Sequence, residues 1–271
     1  MKKFNLKKLQ RSKLAMVSTL VTLLIILAGA IVIFLFVYSV GAKANTESAM
    51  QACRLSVISQ ANTKIELGLK RTSPLEIDCN KRYVNFYNTK VEIGIDPDNT
   101  KTVAVDYEDG QVKRFTELND FIVNQVIAKE MQTCWYEFGE GKSHVFMNGE
   151  DNSWWNNANI CYVCSEINFN RDTVKQEKFS GLIDYMKQTK LGAAQDTYYN
   201  YFNTKSLSEN SWEKFNTEDL KKIGLFSMTF ERDKSYLVFF VKDYHTYASD
   251  SYYVEVIPAD KINTVCDYQA T

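Results

Sequence analysis

The 271-residue sequence predicts an α+β protein: an N-terminal transmembrane helix, then a disulfide-stabilised extracytoplasmic domain of antiparallel sheet covered by helices. Three observations predict it. No charged residue occurs from Leu14 to Val40, and all six cysteines lie beyond that run. The remaining chain groups short strands and helices without the regular βαβ alternation of a parallel sheet.

The membrane segment comes first. Lys2, Lys3, Lys7, Lys8, Arg11 and Lys13 form a basic tail over residues 1–13 with no acid in it. The 27 uncharged positions that follow are dense in Leu, Ile, Val and Phe, with Ser18, Thr19, Thr22 and Ser39 as polar breaks. A helix of that length reaches about 40 Å against a hydrocarbon core of about 30 Å, so it spans with some tilt. Lys and Arg are retained on the cytoplasmic side, which puts the amino terminus inside and the carboxy-terminal part outside. Ala42-Lys43-Ala44 has the pattern of a signal-peptide cleavage site, but the apolar run is nearly twice a signal core, so an uncut anchor is expected. All 33 acidic residues lie beyond residue 42 with 26 of the 32 Lys and Arg, a net of about −7 there. Such a domain repels phosphate backbones, and nucleic acid is not an expected partner.

Residues 41–73 are expected to be a stalk or packing helix, with Met50, Cys53, Val57, Ile58, Ile65 and Leu69 at helical spacing and Ser73-Pro74 as the stop. The extracytoplasmic domain occupies residues 74–271. Extended runs follow at 82–87, 90–95, 102–106 and 111–115, separated by the turn sequences Asp96-Pro97-Asp98-Asn99 and Glu108-Asp109-Gly110, which reads as an antiparallel meander. Thr116 is expected to cap a helix to about Phe138, with Leu118, Phe121, Ile122, Val126, Ile127, Met131, Cys134, Trp135 and Phe138 as its apolar stripe and Gly139 and Gly141 as its stop. A polar loop of 21 residues, 139–159, carries Trp154-Trp155-Asn156-Asn157. A strand is expected over 160–169, short helices near 179–192 and 217–223, and strands at 224–231, 235–243 and 252–258. Leu237–Val241 is continuously apolar, as a central strand is.

The cysteines Cys53, Cys79, Cys134, Cys161, Cys164 and Cys266 are expected to form three disulfides, as an even count does in an oxidising compartment. Strand periodicity around Cys161-Tyr-Val-Cys164 points the two thiols to opposite faces, which disfavours a redox pair and a shared zinc ion. Cys53 is expected to pair with Cys79. Cys134 and Cys266 then take Cys161 and Cys164 in an order left open.

No Gly-rich phosphate loop, GxSxG elbow, HExxH or EF-hand pattern is present, and His144 and His245 are the only imidazoles. No catalytic residue, metal ligand or cofactor is assigned. Glu137 and Glu140, three apart at a helix end, are weighed as an acid pair and read instead as solvated carboxylates. The basic leader with its long apolar helix, Cys-Trp-Tyr-Glu-Phe-Gly-Glu-Gly-Lys (134–142) and Cys-Tyr-Val-Cys (161–164) resemble uncharacterised single-pass archaeal envelope proteins. The resemblance implies a cell-envelope location and no particular activity.

The expected role is an interaction module that presents a surface rich in Tyr and Trp, 16 and 4 in the chain, to a protein or glycan, with Trp154, Trp155, Asn156 and Asn157 as binding residues. The lipid bilayer is the expected partner of residues 14–40, and the N-terminal helix is the expected route to a homo-oligomer. Two alternatives are a structural subunit resembling type IV pilins and an extracytoplasmic hydrolase. The pilin reading departs from that family at Lys13-Leu14-Ala15-Met16, which lacks the small residue expected at the leader junction.

Overall fold

A computed structural model describes residues 31, 47–62, 65–67, 70–72, 77–107, 110–141, 159–192, 196–204, 229–243 and 251–270. The chain divides into two units, residues 1–45 and residues 46–271. The expected membrane span lies outside the described residues apart from Ile31, which is helical and exposed. Among the described residues no helix is long and apolar enough to cross a membrane. Trp154, Trp155, Asn156, Asn157, His144, His245 and the expected helix at 217–223 also lie outside them.

The second unit begins with helix α1 (Glu47–Asn62). It buries Cys53, Val57 and Gln60 against its own domain, and Cys53 is bonded to Cys79. The helix expected to continue to residue 72 stops at Asn62, and a hairpin follows: β1 (Ile65–Leu67) paired antiparallel with β2 (Lys70–Thr72). The buried face of the helix ends at Gln60, and the hairpin pairs Ile65 with Thr72 and Leu67 with Lys70.

The strands of the main sheet are β3 (Arg82–Tyr87), β4 (Lys90–Gly94), β5 (Lys101–Thr102), β8 (Ile160–Phe169), β11 (Tyr236–Asp243) and β12 (Ser251–Pro258), in the order β12-β11-β8-β3-β4-β5. The short strands β9 (Lys178–Phe179) and β10 (Phe230–Glu231) pair with each other outside it. The expected meander is therefore split. β3, β4 and β5 pair antiparallel in the main sheet, while β6 (Val105–Tyr107) and β7 (Gly110–Val112) form a separate hairpin. Gly94 closes the turn before β5. A Cβ there would stand 2.7 Å from the Asn99 carbonyl oxygen, closer than any side chain tolerates.

The sheet is mainly antiparallel but not wholly so. β8 runs parallel to β3, and the short strand β13 (Tyr268–Ala270) also lies parallel to β8. The long connection from β3 to β8 carries helix α2 (Asp120–Glu137), which returns the chain to the same end of the sheet, as a parallel pair requires. β3 covers the second half of one edge of β8 (Ser165–Phe169), and β13 covers the first three residues, Ile160–Tyr162.

Between those two partners β8 bulges. Val238 of β11 faces Ser165 and Phe239 faces Val163, so Cys164 is the extra residue. Strict alternation, expected from the sequence, would put Cys164 and Ser165 on opposite faces. The bulge turns both inward, because one inserted residue shifts the parity of everything beyond it. Tyr162, Cys164, Ser165, Ile167 and Phe169 are accordingly buried, and Cys161 is buried within the cluster on the other face.

Helix α2 packs on the inner face. It starts three residues later than expected, at Asn119 rather than Thr116. Asn119 Oδ1 accepts a hydrogen bond from the Ile122 amide at 3.0 Å, while Phe115 and Leu118 are buried before it and the Phe115 amide is bonded to Thr89. Phe121, expected in the buried stripe, is half exposed and meets Tyr185 edge-on. The helix stops where expected: Gly139, Glu140 and Gly141 have φ of 73°, 59° and 68°. The outer face of β8, β11 and β12 is buried too, under the short helix α5 (Ile262–Val265) and the Cys161–Cys266 disulfide. Burial on both faces explains the unbroken apolar run in β11.

Candidate functional site

The three disulfides are Cys53–Cys79, Cys134–Cys164 and Cys161–Cys266. The first is the expected pair, and the others resolve the open order. Cys164, turned inward by the bulge, reaches Cys134 on α2. Cys161, on the outer face, reaches Cys266. The domain therefore carries the bonds of an oxidising, extracytoplasmic compartment.

The same bulge builds a charged cluster beneath α2. Arg82, Val84 and Phe86 are the inward residues of β3, and Arg82 stands opposite Ser165 in the ladder. Glu130, Cys134 and Glu137 lie at i, i+4 and i+7 on α2, so both carboxylates straddle the disulfide and face the sheet. Arg82 Nε donates to Glu130 Oε2 at 2.7 Å, and Arg82 Nη1 donates to Glu137 Oε1. Ser165 Oγ donates to the same Glu130 oxygen. The Arg82 side chain is 4% exposed and the carboxylates 7% and 5%. The remaining guanidinium nitrogen, Arg82 Nη2, is buried without a hydrogen-bond partner.

Electrostatics follow from one cation serving two buried acids. Burial disfavours the charge of Arg82, but Glu130 and Glu137 outweigh it and hold the guanidinium above its ordinary pKa. Burial pushes the Glu137 carboxyl up to about 7, against the pull of Arg82 and with help from Glu130. Glu137 is thus neither solvated nor paired with Glu140, as the sequence reading had it. Glu140 accepts a hydrogen bond from the Tyr201 hydroxyl at 2.6 Å. A glutamate that titrates near 4.5 when unfolded and near 7 when native holds a proton in the native state alone between those values. Its linkage therefore lowers stability as pH rises from about 4.5 to about 7 and leaves it flat above, by about 3 kcal/mol in all. Melting temperatures of Glu137→Gln and the parent across that window check this: the variant loses the slope.

A cleft of about 790 Å³ opens onto this cluster, within the range of small-ligand sites. α1 contributes Glu47 and Met50, the β5–β6 stretch contributes Val103–Asp106, and α2 contributes residues from Gln125 to Thr133. The fourth side comes from Tyr185 on helix α3 (Leu182–Gln188), Leu191, and Tyr198 on helix α4 (Tyr198–Thr204). Arg82 and Glu130 line it from below, and both are almost fully buried. Gln125 is already committed: its Oε1 accepts from the Asp106 amide at 3.0 Å and its Nε2 donates to Asp106 Oδ2 at 2.6 Å. The walls hold α1 firmly, since Arg54 stacks 3.7 Å from the Tyr136 ring centre and donates to the Tyr136 carbonyl at 2.9 Å.

No family model, curated protein or solved structure matches this chain.

The cleft lining offers hydrogen-bonding groups on Glu47, Asp106, Lys129, Gln132 and Thr133. Glu137 has the pKa of a general acid, but it does not line the cleft and its carboxylate holds Arg82. Among the described residues no group of three His, Cys, Asp or Glu is placed to hold a metal ion. Sequence reasoning missed both Arg82 and Glu130. The available signal was a charged residue on an apolar face: Arg82 shares parity with Val84 and Phe86, and Glu130 falls between Ile127 and Cys134 on the helix stripe.

Proposed function

We propose that this chain is a single-pass, membrane-anchored cell-envelope protein, amino terminus inside, whose extracytoplasmic domain is an interaction module. The anchor is supported by the uncharged run from Leu14 to Val40 with its basic flank. Binding through the cleft is supported by one observation above the others: a volume of about 790 Å³ whose walls set aliphatic Met50, Ile93, Val103 and Leu191 beside the polar Lys129, Gln132 and Thr133.

The test uses the full-length chain in its own membrane. A photoreactive residue in place of Lys129, which is exposed on the cleft rim, is expected to give a discrete adduct on illumination. Thr133→Trp, which fills the mouth from the same helix, abolishes the adduct and leaves the melting temperature in place. An adduct pattern indifferent to Thr133→Trp removes the cleft as the binding surface.

A further inference from the structure

We propose that the cleft takes the ammonium group of a lysine side chain on a partner protein, held by Asp106 beside the rings of Tyr185 and Tyr198. This rests on the reading of the domain as an interaction module.

Asp106 presents a carboxylate that is already fixed in place. Gln125, itself buried, accepts from the Asp106 amide and donates to Asp106 Oδ2, so backbone and carboxylate are held together. Among the described residues Asp106 Oδ1 accepts no hydrogen bond and Asp106 forms no ion pair, although Lys129 and Lys190 line the same cleft. Those two lysines are exposed and have no such tether, so an anion drawn to them would have to order two long side chains. The fixed carboxylate therefore sets the sign of the ligand as a cation.

The aromatic wall favours the same charge. Tyr185 and Tyr198 line the cleft with ring centres 6.3 Å apart and planes 39° apart. A cation seated between them falls within the roughly 6 Å at which a ring face attracts charge. Burial pushes the Tyr185 phenol up to about 12 and the Tyr198 phenol up as well, and the Asp106 carboxylate acts on both in the same direction. Both rings thus stay neutral, with Asp106 in electrostatic reach of each.

The open acceptor chooses among cations. One oxygen of Asp106 is taken by Gln125, so the paired bonds of a guanidinium fork cannot form, whereas an ammonium needs a single acceptor. A quaternary ammonium has no N–H to give to Oδ1. Val103 and Leu191 line the cleft as well and match the alkyl stem of a lysine.

The experiment titrates the full-length chain in detergent, isotope-labelled in its tyrosine rings, with Nα-acetyl-lysine N-methylamide. Tyr185→Phe and Tyr198→Phe assign the two ring signals, and saturable movement of both is expected. Acetylating the probe at Nε removes its charge and weakens binding about tenfold or more, as loss of a charge-assisted hydrogen bond predicts. Asp106→Asn does the same to the unmodified probe and leaves the melting temperature in place. Equal binding of the acetylated probe overturns the cation, and equal binding of the arginine counterpart overturns the choice of ammonium. Undiminished binding by Asp106→Asn overturns the carboxylate, and absence of any titration overturns the proposal as a whole. If the cleft adduct of the membrane experiment persists in that last case, only the lysine assignment fails, and the interaction module stands.

Discussion

Arg82→Met costs the domain about 3–5 kcal/mol at pH 8, because it strands two buried carboxylates without their cation. Among the described residues the guanidinium is the one group that hydrogen-bonds the Glu137 side chain, and it shares Glu130 with Ser165. Neither acid has solvent to fall back on, with side chains 7% and 5% exposed. The loss shrinks as pH falls, because without the pull of Arg82 the buried Glu137 takes up its proton above the value of about 7 that it has beside the guanidinium. Replacing the whole cluster, Arg82→Met with Glu130→Leu, Glu137→Leu and Ser165→Ala, recovers most of the stability, since apolar residues of similar volume satisfy a buried site as well as ions do. Urea unfolding followed by tryptophan fluorescence measures both. A single variant within 1 kcal/mol of the parent would show that the cluster is solvated rather than buried.

The second large effect belongs to the bond between β8 and the chain end. Removing Cys161–Cys266 as an alanine pair frees a loop of 105 residues and costs about 4.7 kcal/mol on the chain-entropy account. The other bonds close loops of 26 and 30 residues, worth about 3.5 kcal/mol each on the same account. The alanine-pair series should therefore rank Cys161–Cys266 first by about 1 kcal/mol. Cys161 also lies at 0% exposure among Leu237, Phe239, Val241 and Tyr253, so the loss includes packing of the outer cluster. Chymotryptic cleavage after Tyr162 separates the two cysteines of the short pair for mapping without reduction. A peptide joining Cys164 to Cys266 would reverse the order of pairing and remove the bulge argument with it.

Much of the scaffold was legible in the residues. Strand β8 was expected at 160–169 and found there, because its ends are marked by polar loops and its apolar residues recur at strand spacing. Strands β3 and β11 were legible for the same reason. The Cys53–Cys79 bond was legible from separation in the chain. Helix α2 was legible in its stripe, but its start was not: Asn119 caps it because Phe115 and Leu118 are buried ahead of it, and burial is a tertiary fact. The end of α1 at Asn62 was lost for a related reason. Helical spacing continues on paper to Leu69, but the face of α1 that meets the domain ends at Gln60.

The site was far less legible than the scaffold. Its acidic member Glu137 was noticed and assigned to solvent, since a helix end beside two glycines is usually wet. Arg82 and Glu130 lie 48 residues apart and reveal nothing of each other until α2 is laid across β3. The Trp154–Asn157 segment, which the sequence put forward, lies outside the described residues, and the cleft is a separate candidate that no continuous stretch of residues announces.

The sequence by itself determined the apolar run with its basic flank, the α+β class, the three-disulfide chemistry and the opposite facing of Cys161 and Cys164. These follow from local rules: spacing, charge and the two-residue period of a strand. Only the tertiary structure decided how Cys134 and Cys266 divide Cys161 and Cys164, and why Ser165 faces Arg82. Both turn on one extra residue at Cys164, because a bulge exists only relative to a partner strand and cannot be read from one strand alone.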